Sequence, residues 1–517
     1  MLGPRRSLPW NTTASDTEKE RTGEIDMGKV MRNLLFIGIL SIAMQASGAA
    51  AQDGRSGDRV EQPASSDVQN RSMAGMQHAG NVEELKPELP KMGRAQEKPT
   101  GKLFHLEDLE EMALRRNPTL VQASAEVQAS KARQQQSGLY PNPRVGYSGD
   151  EIRGGSFGGG EQGFFVSQSI VTAGKLGLNR KIFGQDLRVS ELEAQEQRLR
   201  VSSALHIAYY RVLAAQELLE TRRGIAHIAA ANLRTQQQLQ NLGQADDSEV
   251  LQAEIDQQKT EMEVLTQQST LEQEWRALAS LVGDPALPIG TVAGILDQDL
   301  PAMDQEQAVA TLLRESPAVA IARASAERAE VTLSRTKREP IPDIELRGGL
   351  SHSGEFLEPT NHATGLIGFA EVGVQIPLFN RNQGNIEAAR REIERAKAEE
   401  IRVDLVLRER AAAVLEMYRN SEIRVNQYRN QLLPRGEKAY ELLLHTHGLM
   451  LTSYPQVLKA QRMLYDLQID YISDLERLWV NALTINGMLL TDGLEAPSRP
   501  GEVDRPVREI NMPAGRP

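Results

Sequence analysis

Twice, a chain otherwise composed for helix stops at a pair of prolines and restarts as a short alternating segment. Pro141-Asn142-Pro143 ends a helix-forming run ahead of Arg144, Val145, Gly146, Tyr147 and Ser148, and Pro340-Ile341-Pro342 does the same ahead of Asp343, Ile344, Glu345, Leu346 and Arg347. Proline cannot continue a helix, and it pushes the residue before it into extended backbone. The flanking sequences match too. Residues 109–143 align with 308–342 without a gap, pairing Leu114 with Leu313, Asn117-Pro118 with Ser316-Pro317, Ala125 with Ala324 and the prolines with each other. Further on, 241–254 aligns with 446–461, pairing Gly243 with Gly448, Val250-Leu251 with Val457-Leu458 and Ala253 with Ala460. Solenoid repeats are far shorter than this. The chain therefore reads as two homologous halves, 105–283 and 305–490, each ordered helix, strand, loop, strand, very long helix, turn, helix.

The alternating segments separate charge from apolar bulk. Val145, Tyr147 and Gly149 share one face, with Arg144, Ser148 and Asp150 opposite; Ile344, Leu346 and Leu350 face away from Asp343, Glu345 and Arg347. "EVGVQIPLF" puts Val372, Val374, Ile376 and Leu378 against Glu371, Gly373 and Gln375, and "FFVSQSIV" puts Phe164, Val166 and Ile170 on one face, with Phe165 spoiling the other. A half-buried sheet in a soluble protein has this period. So does a bilayer-spanning barrel, apolar outside and charged within. An export signal favours the barrel. Lys29 and Arg32 precede an apolar run from Leu34 to Met44 and then Ala49-Ala50-Ala51, the order of a secretory signal peptide over 27–51, with 1–26 reading as an over-called start. Four strands cannot close in lipid without unsatisfied edges, so several chains must share one barrel. Gly-rich or polar stretches, 153–162 and 352–367, are expected to join the strands of each pair.

The rest of the composition suits long packed helices. Aromatics make up 4% of the residues, there is no cysteine and the net charge is −11. Disulfides and thiolate metal sites are excluded, and no basic stripe offers a nucleic-acid surface. From Leu176 to about Leu239 there is no proline, a run that would span roughly 95 Å as helix. From Ile386 to about Leu433 a seam of Ile386, Ala389, Ile393, Ala396, Val403, Leu407, Val414 and Met417 marks coiled-coil packing, interrupted by Glu400 and Arg410. Leu271, Trp275, Leu278 and Val282 continue the pattern in a return helix. Residues 52–100 and 491–517 read as a disordered linker and tail. The linker holds Met73, Met76 and His78, side chains that soft metals accept but that a flexible tether can also carry.

With these features in order, the chain resembles the TolC-type outer membrane efflux protein family over about residues 105–490. The resemblance rests on the two-fold repeat, Asn117-Pro118 and Ser316-Pro317, the "YPNP" strand opening, "QIPLFNRNQG" before the second long helix and "VLKAQRMLYDLQIDY" after its turn. It implies a mainly α fold with a small β part: a homotrimer whose chains share a twelve-stranded outer-membrane β-barrel above a hollow periplasmic helical barrel. It implies no enzyme, cofactor or catalytic residue. It implies the exit duct of a tripartite pump, joined by a periplasmic adaptor protein to an inner-membrane transporter. The extension with Met73, Met76 and His78 leans towards the metal-cation (Cus- or Czc-like, RND-type) branch, many of whose relatives carry a lipidated cysteine that this chain lacks.

Site residues follow. Arg144, Asp150, Asp343, Glu345, Arg347 and Glu371 are expected to line the barrel lumen. Leu242, Gly243, Gly448 and Leu449 are expected at the periplasmic tip facing the adaptor, both glycines at helix ends where left-handed backbone is cheap. Relatives often carry an acidic residue before the Val-Leu step after the turn. The first half keeps Glu249 beside Asp246 and Asp247, but the second has Gln456 and Lys459. The departure argues against an acidic ring and suggests that Lys459 pairs with Asp246, Asp247 or Glu249 of a neighbouring half to hold the duct shut. Other readings fare less well. Gly158-x-Gly160-x-x-Gly163 matches a dinucleotide fingerprint but has no helix after it. His445 and His447 fall on nearly opposite helix faces, poor geometry for one metal. A periplasmic coiled-coil scaffold leaves the paired strands unexplained. A type I protein-secretion duct would use the same pipe.

Overall fold

The computed structural model describes residues 102–152, 160–357 and 362–497. The expected signal peptide, the linker with Met73, Met76 and His78, Gly158 and the tail beyond residue 497 lie outside the described residues.

Each half begins with a helix pair kinked at Pro118 or Pro317: α1 (Leu106–Arg116) and α2 (Pro118–Ser137), then α5 (Gln305–Glu315) and α6 (Pro317–Arg338). Proline at the first turn of a helix loses no hydrogen bond. Asn117 caps α2, its Oδ1 accepting from the Thr119 N–H at 2.9 Å, and its Nδ2 donates to the Leu281 carbonyl at 2.9 Å. Ser316 occupies the same place before α6 but makes no side-chain cap bond. After each pair come two strands, β2 (Arg144–Asp150) and β3 (Glu161–Ile170), then β5 (Ile344–Leu357) and β6 (His362–Val374). The two-residue strands β1 (Leu103–Phe104) and β4 (Thr291–Val292) form a separate parallel pair.

The first long helix, α3 (Lys175–Asn241), runs unbroken for 67 residues, on the order of 100 Å, and returns as α4 (Asp247–Val282). Its counterpart, α7 (Gln383–Gln427), does not end near Leu433 as expected. It passes through a π turn at Tyr428–Leu432 into α8 (Leu433–Gly448) and returns as α9 (Tyr454–Asn486). Pro434 explains the interruption. It has no N–H to donate and its ring crowds the preceding turn, and the wider π turn accommodates both.

The main core forms where both halves meet. Val201, Leu205, Val212, Trp275, Leu278, Val282, Tyr418, Leu464, Leu475 and Leu478 are buried in one cluster, so the return-helix pattern of Trp275, Leu278 and Val282 packs as read. The connection between the halves crosses this core, pinned by aromatic side chains. Trp479 donates to the Leu296 carbonyl at 2.8 Å, Tyr418 to Pro301 at 2.7 Å, and Tyr471 to the Asp297 carboxylate at 2.8 Å; Tyr209 donates to Ala293. The α7 seam needs one correction. Ala396 and Leu407 are buried, but Met417 is 53% exposed, and Ala411, Leu415, Tyr418 and Val425 carry the seam instead. A strict heptad drifts against 3.6 residues per turn, so the buried stripe moves off the expected position within a few turns.

Candidate functional site: the two-faced sheet and the helical tips

The four longer strands form one antiparallel sheet in the order β2-β3-β5-β6. Register aligns the faces across the halves. Val145 lies opposite Val166 and Tyr147 opposite Phe164; Phe164 in turn faces Leu350, Leu346 faces Val372 and Ile344 faces Val374. One face is thus largely apolar, with Gln162, Gln168 and His352 as its polar positions. Its side chains stand open, Val145 at 71%, Phe164 at 68% and Val372 at 71%. An apolar sheet face of this kind needs a non-aqueous neighbour.

The opposite face carries the charge. One row runs Arg144, Ser167, Arg347, Glu371, the next holds Ser169, Glu345 and Gly373, and the far end pairs Asp150 with Glu161. Phe165, which spoiled the alternation in sequence, lies on this face opposite Gly146 and Gly349, and Phe369 flanks Gly349 from the other side. The Arg347 guanidinium carbon sits 4.2 Å from the Phe165 ring centre. Five of the six expected lumen residues therefore share one face. Asp343 departs: it precedes β5 and accepts from the Thr172 N–H at 2.9 Å and from Lys175 Nζ at 3.0 Å, with the lysine side chain 4% exposed. It fastens the foot of the sheet to the start of α3.

The strand ends also differ from expectation. Pairing of β5 with β6 continues through Ser353–Gly365, slips at a bulge and resumes at Phe356–Ala363 and Leu357–His362, so most of the expected 352–367 loop is strand. The polar sequence there hides pairing made by backbone. Conversely β6 stops at Val374, leaving Ile376, Leu378 and Phe379 beyond it at 67%, 65% and 91% exposure. Pro377 has no N–H for a ladder. Gly160 stands just before β3 and Gly163 inside it, so the motif opens a strand and not a helix.

At the far end of the long helices lie two tips built alike. In the first, Gly243 takes the left-handed conformation (φ 70°) and Gln244 N–H donates to the Leu239 carbonyl at 2.8 Å. In the second, Leu451 N–H donates to Thr446 at 3.0 Å, but the left-handed residue is Met450 (φ 59°). Gly448 is the last residue of α8, with open space around it. The structural partner of Gly243 is thus Met450, and Leu242 matches Leu449, in the same offset that pairs Val250 with Val457. The expected pairing of Gly243 with Gly448 was drawn on residue identity and is two positions off. Leu242, Leu449, Met450 and Leu451 are 72%, 57%, 94% and 76% exposed. His447 is tied to the turn: its Nδ1 lies 2.9 Å from the Thr452 carbonyl and its ring leans on Tyr454.

The acidic residues here serve the turn. Glu249 Oε2 accepts from the Asp246 N–H at 3.2 Å, and Asp247 accepts from Gln240 at 2.7 Å. Lys459 is exposed and pairs with none of them within the chain. Among the described residues, an ion pair joins these hairpins between Arg462 of α9 and Asp256 of α4, at 3.7 Å. Sequence reasoning passed over both residues, since each sits in an ordinary alternation of charges. Among the described residues no cluster of three histidine, aspartate or glutamate side chains is placed to hold a metal, and no helix is long and apolar enough to cross a membrane.

Comparison with known proteins agrees with this layout. Residues 109–284 match the family described as outer membrane efflux protein. The cobalt-zinc-cadmium resistance protein CzcC of Cupriavidus metallidurans is 26% identical over 282 residues, covering 54% of this chain and 66% of that protein. The nickel-cobalt-cadmium resistance protein NccC of Alcaligenes xylosoxydans xylosoxydans is 24% identical over 303 residues, covering 57% of this chain and 65% of that protein. The aligned stretch thus spans just under two thirds of either relative. The crystal structure of CusC, studied for its folding and transmembrane channel formation, superposes with a TM-score of 0.61 at 18% identity over 74% of this chain and 91% of that one. That likeness is one of fold.

Proposed function

We propose that this chain, whose residues 109–284 match the outer membrane efflux protein family, belongs to that family, sits in the outer membrane with a periplasmic helical domain and is the exit duct of a tripartite efflux system. The observation that carries this reading is the sheet. It has one apolar face, one charged face and two edges, on β2 and β6, without a strand partner among the described residues. In lipid such edges must be closed. Three copies joined β6 to β2 supply twelve antiparallel strands, the apolar faces turning to lipid and Arg144, Asp150, Glu345, Arg347 and Glu371 to water. The long helices would then hang together into the periplasm, where Leu242, Leu449 and the neighbouring Met450 meet an adaptor that links the duct to an inner-membrane transporter. Lys459, without an ion-pair partner among the described residues of its own chain, would pair with Asp246, Asp247 or Glu249 of a neighbouring copy when the entrance is shut.

The names of the relatives support a cargo class. CzcC and NccC are named for resistance to cobalt, zinc, cadmium and nickel, and we take transition-metal cations delivered by an RND-type transporter as the substrate. No residue of the duct needs to bind them. Expressed with its partner pump in a metal-sensitive host lacking its own duct, the chain should restore growth on cadmium or zinc. Leu449→Asp should abolish both the rescue and the adaptor cross-link while leaving the protein in the outer membrane. Rescue of protein secretion without rescue of metal tolerance would instead make this a secretion duct.

A further inference from the structure

We propose that Arg347 sets the ion preference of the barrel lumen, and that Phe165 and Phe369 are the residues that position it. The proposal rests on the shared-duct reading above. Arg347 stands on β5, and one row along the same face the Phe165 and Phe369 rings reach in from the strands on either side, flanking Gly349. The room for the rings is made by glycine. A Cβ on Gly146 would meet the Phe165 ring at 2.5 Å, and one on Gly349 would meet the Phe369 ring at 2.8 Å. The Arg347 guanidinium lies 4.2 Å from the centre of the Phe165 ring and 5.6 Å from that of Phe369. A cation over aromatic faces is held by the ring quadrupole, and more firmly where water is displaced.

Little else holds this side chain. Its contact with Glu371 is a long one, 3.8 Å, and its buried Nε has no hydrogen-bond partner. A bidentate Arg–Glu pair would fasten neighbouring strands better. What the arrangement does achieve is a fixed positive charge at one level of the wall, lying along the sheet towards the rings. The other inward charges are mostly acidic: Glu345 and Glu371 nearby, Asp150 and Glu161 at the far end, against Arg144. In a closed barrel this row, with Arg144 and Arg347 against Glu371, forms a cationic band beside the acidic Glu345, Asp150 and Glu161 of the described strands, and rings of like charge are how pores discriminate between ions. Gly349 and Phe165 are therefore parts of a selectivity element, and the break in the alternation at Phe165 is its signature in sequence.

The test is the reversal potential of the full chain in planar bilayers under a potassium chloride gradient. Arg347→Gln should raise the ratio of cation to anion permeability about two- to threefold, with trimers intact. Phe165→Leu with Phe369→Leu keeps apolar bulk but removes the rings, and in that background Arg347→Gln should have less than half its effect. An unchanged reversal potential for Arg347→Gln overturns the proposal. An equal effect in both backgrounds overturns the positioning role of the rings. Wild-type protein that neither forms trimers nor inserts into the bilayer would instead overturn the shared-duct reading itself.

Discussion

The two halves follow one plan and finish it differently. The first caps its second helix with Asn117, runs 67 residues without a break and turns on Gly243. The second caps with a serine that makes no bond, breaks its long helix at a π turn beside Pro434 and turns on Met450, a residue with a Cβ in left-handed backbone. Left-handed backbone costs an L-residue about 1–2 kcal/mol. The first half is thus locally satisfied at these three points. The second is held by the core it packs against, through Tyr418, Tyr471 and Trp479, and its tip presents more open apolar surface. Duplication preserved the fold where packing enforces it and let local chemistry diverge where packing is weak. A π turn and a strained tip are where movement of the entrance would concentrate.

The sheet is where the halves should be equal, and there the largest effects are expected. Val166→Arg in the first half and Val372→Arg in the second each place a charge on the same apolar face, inside the strands. Each should cost roughly 2–4 kcal/mol near the membrane midplane and prevent assembly. Glu345→Arg, on the other face, should assemble. Heat-resistant trimer on a gel reads all three, and a large difference between the two valines would break the equality.

The caps should be unequal. Asn117→Ala removes the bond to Thr119 and orphans the Leu281 carbonyl, and is expected to cost about 2 kcal/mol. Ser316→Ala removes no bond and should lie within about 0.5 kcal/mol of wild type. Denaturant midpoints of the two variants measure this directly. The tips should respond in opposite directions. Met450→Gly should stabilise by roughly 1 kcal/mol by relieving the left-handed residue, whereas Gly243→Ala should destabilise by a similar amount. Equal signs would mean that the two turns are not built alike.

The smallest contrast is in carboxylates on the long helices. On α3, burial, with Glu196 and Glu126 nearby, pushes the Glu193 carboxyl up to about 8, and its Oε2 is buried without a partner. On α7, hydrogen bonds from Arg391 and Arg402 hold Glu387 and Glu399 below the usual carboxylate range. A raised folded-state value means that the folded protein keeps a proton the unfolded chain releases. The stability tied to Glu193 is full below about 4.5 and is lost as pH rises towards about 8. Glu193→Gln should therefore flatten the fall in melting temperature across that range. Glu399→Gln, at an exposed pair, should leave the profile nearly unchanged.

Much of this was legible in the sequence because duplication and alternation are written in residue types. The period-two strands put Val145, Leu346 and Val372 on one face and Arg144, Glu345 and Glu371 on the other, as the register shows. Trp275, Leu278 and Val282 announced a buried stripe. What escaped depends on backbone and on partners distant in sequence. The β5–β6 hairpin runs past its apolar stretch because ladder bonds need no particular side chain. Asp343 looks like one more inward charge until Lys175 and Thr172 are seen beside it. Gly448 drew the eye at the second tip because glycine favours left-handed turns, yet Met450 bears the turn. Arg462 and Asp256 carry no signal beyond charge.

The central claim is that three chains must meet to complete one barrel, and native mass spectrometry of the detergent-extracted protein tests it most directly. The account expects a species of three chains that survives in detergent and aggregates when detergent is removed. A monodisperse single chain, stable in buffer without detergent, would contradict it.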